Sequence, residues 1–215
     1  MKKILVLSII AFFAFSFSFL KERNNINYAV SGKMPNDTSY CRAGNFPKQD
    51  ISQTGEKDLK YMREEEKLAH DFYSQMYDKW GLRPFYNILG AELRHMTALK
   101  SMLDKYSITD PIKDQSIRTF ADNEIKKLYE NMIEQGKKSE IDALKAGAEI
   151  EEIDIKDLMS AIKDTDNGDL KFVYNNLMRG SHNHLRAFIR NLDRRNIDYS
   201  PKHLDIKTFE DILND

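Results

Sequence analysis

The amino-acid sequence predicts an all-α protein: four long helices in two hairpins, one long crossover connection between the hairpins, and a short C-terminal helix. Two observations carry that prediction. Apolar residues recur at alternating steps of three and four through four separate stretches, the spacing of a helix face turned toward a partner. Nine glycines and five prolines in 215 residues, with no alternating run of Val, Ile and Thr, argue against a sheet.

Ahead of the helices, Lys2-Lys3, an unbroken apolar run from Ile4 to Phe15 and then Ser16-Phe17-Ser18 read as a secretory signal peptide over residues 1–20. A signal anchor is the competing reading, because the apolar stretch through Leu20 is near the lower limit for a spanning helix. The mature chain is therefore expected to be exported, periplasmic or extracellular. It would touch a membrane only if this segment stays uncleaved. Residues 21–55, rich in Asn, Ser, Lys, Gly and Pro, are expected to form a flexible tether without packed structure. Residues 56–215 remain, enough for one domain with a real core.

The first long helix is expected from about Gly55 to Trp80, on the stripe Leu59, Met62, Glu66, Ala69, Tyr73, Met76 and Trp80. Gly81-Leu82-Arg83-Pro84 ends it and opens the second, with Pro84 suited to a first-turn position. The second runs to about Tyr106 on Phe85, Ile88, Glu92, His95, Leu99, Met102 and Tyr106. The crossover, Ser107 to Lys138, holds one shorter amphipathic helix near Asp122–Gln135, with a stop at Gly136. Ser139-x-x-Asp142, which resembles a capping box, starts the third. Its stripe is Leu144, Ala148, Glu151, Ile155, Leu158 and Ile162. A neighbouring series, Ala148, Glu152, Ile155, Met159 and Ile162, turns Glu152 inward instead, and both stay open. Asp164 to Gly168 turns the chain into the fourth helix, on Leu170, Tyr174, Leu177, Ser181, His184 and Phe188. A last helix, about Ile206 to Leu213, is expected to pack across one end.

Each long stripe is interrupted by a residue able to hold a metal: Glu66, then Glu92 and His95, then Glu151 or Glu152, then His184. Ionisable groups in a buried seam are costly unless something offsets them. Glu-x-x-His on one helix face, as at Glu92 and His95, is a ligand pattern of helical bundles. Counted from the first hairpin turn, Glu66 and His95 fall within roughly one helical turn of the same level. Glu151 and His184 bracket the second turn in a similar way, so one shared site is expected. Carboxylates and imidazoles without a thiolate suit iron or manganese, and zinc can also be held. Two ions bridged by glutamates would offset the clustered charge and present open positions to oxygen or peroxide. Asp154 is expected to orient a ligand histidine as its acceptor, with Tyr73 and Ser181 beside the site. The Gly180-Ser181 pair permits close helix approach next to His184. The formal charge of −1 offers no basic face for nucleic acid. The single Cys41 excludes an intramolecular disulfide framework and a Cys-based zinc site.

Four segments, Tyr61-Met62-Arg63-Glu64-Glu65-Glu66-Lys67-Leu68-Ala69, Ala91-Glu92-Leu93-Arg94-His95-Met96, Ile150-Glu151-Glu152-Ile153-Asp154-Ile155 and Gly180-Ser181-His182-Asn183-His184-Leu185-Arg186-Ala187-Phe188, carry a family resemblance. Together they resemble the ferritin-like superfamily, in a domain-of-unknown-function branch, over about residues 55–213. More distantly the chain is similar to rubrerythrins, ferritins and bacterioferritins. The resemblance implies a ferritin-like four-helix bundle with a di-iron carboxylate site and an oxidoreductase activity of ferroxidase or peroxidase type. It carries the first-helix ligand onto Glu66 and the second-helix Glu-x-x-His onto Glu92 and His95. The third-helix Glu falls on Glu151 or Glu152, and the fourth-helix His on His184. The pattern departs at Ser181, where the family has a glutamate. Glu149 or Glu152 is expected to fill that place, or one metal position to be weak or absent. No Cys-x-x-Cys pair is present, so an enzyme of this kind would need an external electron donor. The alternative is a non-enzymatic metal-binding or interaction bundle with a single or structural ion. A homodimer is compatible with either.

Overall fold

A computed structural model describes residues 47–215 of the chain. The signal peptide or anchor expected at residues 1–20, and most of the tether, lie outside the described residues. All regular structure among the described residues is helical, six helices and no strand. They are α1 (Gln53–Trp80), α2 (Arg83–Tyr106), α3 (Asn123–Gly136), α4 (Glu140–Asp164), α5 (Gly168–Asp193) and α6 (Ile206–Asn214). None of these helices is long and apolar enough to cross a membrane.

Short polar side chains set where the helices start. Ser52, Asp122, Ser139, Asn167 and Asp205 stand just before α1, α3, α4, α5 and α6. Each accepts from a first-turn backbone N–H that has no partner within its helix. Ser139 also donates to Asp142 Oδ2 at 2.6 Å, completing the pair legible in the sequence. α2 has no side-chain cap and starts on Pro84 instead, whose fixed φ suits a first turn. Between α1 and α2, Gly81 takes φ 66°, a left-handed conformation that costs least without a Cβ.

The long helices pack as two hairpins, α1 on α2 and α4 on α5. α1 meets α4 and α2 meets α5, which joins the hairpins; α3 lies on α1 and α4, and α6 on α5. Two apolar clusters form the core. One includes Phe72, Tyr73, Met76, Phe85 and Phe188, and the other Leu59, Met62, Leu99, Leu158 and Leu177. In the first, the rings of Tyr73, Phe85 and Phe188 meet pairwise with centroids 6.1, 5.4 and 5.6 Å apart. Each such pair contributes about 0.5–1.5 kcal/mol beyond the area it buries. On α1, α2 and α5 the residues that separate the clusters are buried and polar: Glu65 and Glu66, Glu92 and His95, Ser181 and His184.

The crossover runs along α1 and pairs with charges on its outer side. Arg63 pairs with Asp110 at 3.2 Å. Glu64 accepts from the N–H groups of Ala121 and Asp122 at 2.5 and 2.9 Å. Lys67 donates to Asp71 at 2.5 Å and to the Ser116 carbonyl at 2.9 Å. Consequently α1 is buried without interruption from Met62 to Ala69. The end of the segment expected to be an unpacked tether is also held. Gly168 N–H donates to Gln49 Oε1 at 2.7 Å, Asn167 donates to the Asp50 carbonyl at 3.3 Å, and Ile51 packs on the second apolar cluster. Composition hides this, because amide groups make most of the contact.

Candidate metal centre

The helix register places five of the candidate side chains in one buried layer between the hairpins. Glu66, Glu92, His95 and Glu151 are exposed by 2% or less, and His184 by 8%. They make two groups that could each hold a metal ion, Glu66–Glu92–His95 and Glu92–Glu151–His184. Within each group, one donor atom per residue lies within 4.8 Å of the others. Glu92 belongs to both, and its two oxygens divide between them. Oε2 lies 3.2 Å from His95 Nδ1, and Oε1 lies 2.9 Å from His184 Nδ1. Glu66 Oε2 is 3.2 Å from His95 Nδ1, and Glu151 Oε1 is 3.5 Å from His184 Nδ1. The imidazoles lie side by side, their ring centroids 5.8 Å apart. Gly180 makes this possible: a Cβ there would stand 2.6 Å from the His95 ring. The close approach expected beside His184 is thus made by a ring from α2.

Carboxyl groups outnumber imidazoles in the layer, three to two. Burial, and then Asp154 and Glu92, raise Glu66 well above the usual carboxylate range. Burial likewise raises Glu151, against the opposing charge of His184. Glu92 differs: burial pushes it up, but His184 and His95 together outweigh burial and hold it well below that range. Burial would lower His184, yet Glu92 and Glu151 raise it well above the ordinary imidazole value. The layer therefore centres on a Glu92–His184 ion pair among carboxyls that resist ionisation.

Several polar atoms in it have no hydrogen-bond partner among the described residues. Glu66 Oε1 is one; Glu92 Oε1 and His184 Nδ1 face each other off hydrogen-bond alignment. An unpaired buried polar atom costs about 1–3 kcal/mol, more if charged. Carboxylates with imidazoles at these separations are a donor set for iron, manganese or zinc. The residues present fit a pair of such ions.

Glu152 is not brought into the layer. It is fully buried, but its carboxylate accepts from Tyr199 Oη at 2.6 Å and from the N–H groups of Lys202, His203 and Leu204 at 2.8, 2.8 and 3.1 Å. It anchors the segment before α6, and leaves the inward position on α4 to Glu151. Nor does Glu149 replace the missing α5 glutamate, since it pairs with Lys202 and His203. At that place Ser181 donates to Asp154 Oδ2 at 2.5 Å, and Asp154 belongs to neither group. The hydrogen bond expected from a histidine to Asp154 is replaced by this one. Tyr73 donates to Glu151 Oε1 at 2.5 Å and fixes that carboxylate. Glu65 is not foreseen in the sequence at all. It is 2% exposed, and neither of its oxygens has a hydrogen-bond partner among the described residues. Because α1 is enclosed on every side at this level, its burial does not follow the apolar stripe.

A family model described as "Uncharacterized protein domain (DUF2202)" matches residues 56–215. The chain is 48% identical over 169 residues to "Uncharacterized protein MJ0754" of Methanocaldococcus jannaschii, covering 79% of this chain and 91% of that protein. The crystal structure of hypothetical protein MJ0754 from that organism is similar with a TM-score of 0.78 at 48% identity, covering 79% of this chain and 97% of that chain.

Proposed function

The chain belongs to the DUF2202 family, and we propose that it is a ferritin-like metal protein whose four long helices hold two iron ions. The observation that carries this reading is Glu92, one buried carboxylate with an oxygen turned toward each imidazole. Two hairpins joined by a long crossover is also the connectivity of ferritin-like bundles. Glu66 and His95 would complete the first ion's protein ligands, and Glu151 and His184 the second's. Bound there, a pair of iron ions would supply the electrons for reducing oxygen or peroxide, an oxidoreductase activity of ferroxidase or peroxidase type.

The protein's own groups prepare the layer for that chemistry. The two apolar clusters exclude water on either side of it. Tyr73 holds Glu151 in one orientation and Ser181 holds Asp154. Because burial raises Glu66 and Glu151, ion binding to their charged forms should strengthen as pH rises. Electrons would come from an external donor, since the chain has no second cysteine with which to build a rubredoxin-like relay.

A second reading has one observation in its favour. Ser181 stands where a symmetric di-iron site would have a carboxylate, and this suits a single structural ion. Iron analysis of protein loaded anaerobically and then exposed to air separates the two. About two irons per chain, with ferric charge-transfer absorption appearing under air, is the expected result. One ion without redox change favours the structural reading, and no metal under any loading overturns both.

A further inference from the structure

Outside the layer, one buried carboxyl has no hydrogen-bond partner on either oxygen among the described residues. It is Glu65, which follows Tyr61 by one turn of α1. The charges acting on it most strongly are Asp154, Asp157, Glu66 and Glu151, all of its own sign. Asp154 is itself 6% exposed, and its Oδ1 also lacks a partner among the described residues. Contrast Glu64, the preceding residue, which two backbone N–H groups satisfy. Protonation would not resolve Glu65, since a buried carboxyl without donors or acceptors still forfeits its hydrogen bonds to water.

Asp157 lies one turn beyond Asp154 on α4 and opens onto the surface. It lines a cleft of about 280 Å³ together with Asp58, Tyr61 and Glu124, Lys57 being the opposing charge. Glu65 is the strongest charge felt by the Tyr61 hydroxyl, and Asp157 the next. Carboxylates thus succeed one another from the surface cleft, past Asp157 and Glu65, to Asp154 and the layer.

We propose that Glu65 and Asp154 form a transit site for divalent cations, by which ions from the Asp58–Glu124–Asp157 cleft reach the Glu66–Glu92–Glu151 layer. The inference rests on the two-ion reading above and adds its route of supply. Oxygen-only donors suit Fe(II) or Mn(II) in passage, and the histidines of the layer then hold the ion more firmly. A cleft with three carboxylates to one ammonium raises the local cation concentration and the rate of capture.

Stopped-flow absorption of the full chain mixed with Co(II) alone, without oxygen, tests this. Wild type is expected to fill both positions. Glu65→Gln and Asp157→Asn should reach the same final cobalt content about tenfold more slowly or worse. Asp157 is partly exposed at the cleft, so its variant keeps the test sound if Glu65→Gln fails to fold. Both variants filling at the wild-type rate overturns the transit site and leaves the two-ion reading standing. Loss of final cobalt in Glu65→Gln, rather than of rate, makes Glu65 a ligand of the layer and also overturns it. A wild type that takes up no cobalt overturns the two-ion reading first, and this inference with it.

Discussion

Glu151 and Glu152 are adjacent, chemically identical and both buried, yet they have opposite surroundings. Glu152 meets one phenol and three backbone N–H groups and ties down the chain before α6. Glu151 meets one phenol, an imidazole at 3.5 Å and other carboxylates. The same contrast recurs on α1, where Glu64 has two backbone donors and Glu66 has an oxygen with none among the described residues. A buried carboxylate that serves the fold is surrounded by donors. One short of donors and crowded by its own kind is, on the reading proposed above, held for an ion.

The largest effect should come from Glu92→Ala, which removes a donor from both groups at once. Metal analysis after loading and desalting should fall from two ions per chain to nearly none, whereas Glu66→Ala should spare the His184 group. Retention of both ions in Glu92→Ala would break the contrast. Glu152→Ala tests its other side. Stranding three backbone N–H groups should cost about 3 kcal/mol or more in denaturant unfolding, with metal content unchanged. Lost metal with unchanged stability would reverse the two roles.

Acidity provides a third test, on protein stripped of metal by a chelator. Glu65, Glu66, Glu151 and Asp154 are raised by burial first, and Asp154 is pushed up to about 7. The stability from such groups is full below their unfolded values, about 4, and is lost as pH rises through the folded ones. His184, also raised, acts in the same direction at higher pH. Glu92 opposes them only under acid, since its depressed value lies below this window. The stripped protein should therefore melt at lower temperature near pH 8 than near pH 5, and added ions should recover the loss. A melting temperature that climbs over that interval contradicts the carboxyl excess. Least of all, Gly180→Ala should crowd the His95 ring, cost about 1–3 kcal/mol and weaken the His95 group more than the His184 group. Calorimetric titration with equal weakening of both would remove Gly180 from the account.

The all-helical class and the spans of the six helices were legible because apolar period, caps and turn residues agree along the chain. The meeting of Glu66, Glu92, His95, Glu151 and His184 was legible for a related reason, since each interrupts an apolar stripe. Where a helix is covered on two sides, that signal fails. α4 lies under both the layer and the segment 199–204, so period alone left Glu151 and Glu152 equivalent. α1 lies under both the layer and the crossover, and so Arg63, Glu64, Glu65 and Lys67 are buried off any stripe. Asp154 was legible as an acceptor but its partner was not, because Ser181 sits on another helix at a position where a glutamate was expected.

Glu92 has a consequence for the order in which the domain comes apart. Glu66, Glu92 and His95 all lie on the α1–α2 hairpin, whereas Glu151 and His184 lie on α4 and α5. An ion in the first group would brace a single hairpin. An ion in the second would be a clasp, tying α4 and α5 to the neighbouring hairpin through one α2 carboxylate. Separation of the hairpins, followed by amide exchange, should therefore be slowed mainly by the second ion. One side chain would then govern both how metal is held and which seam opens first.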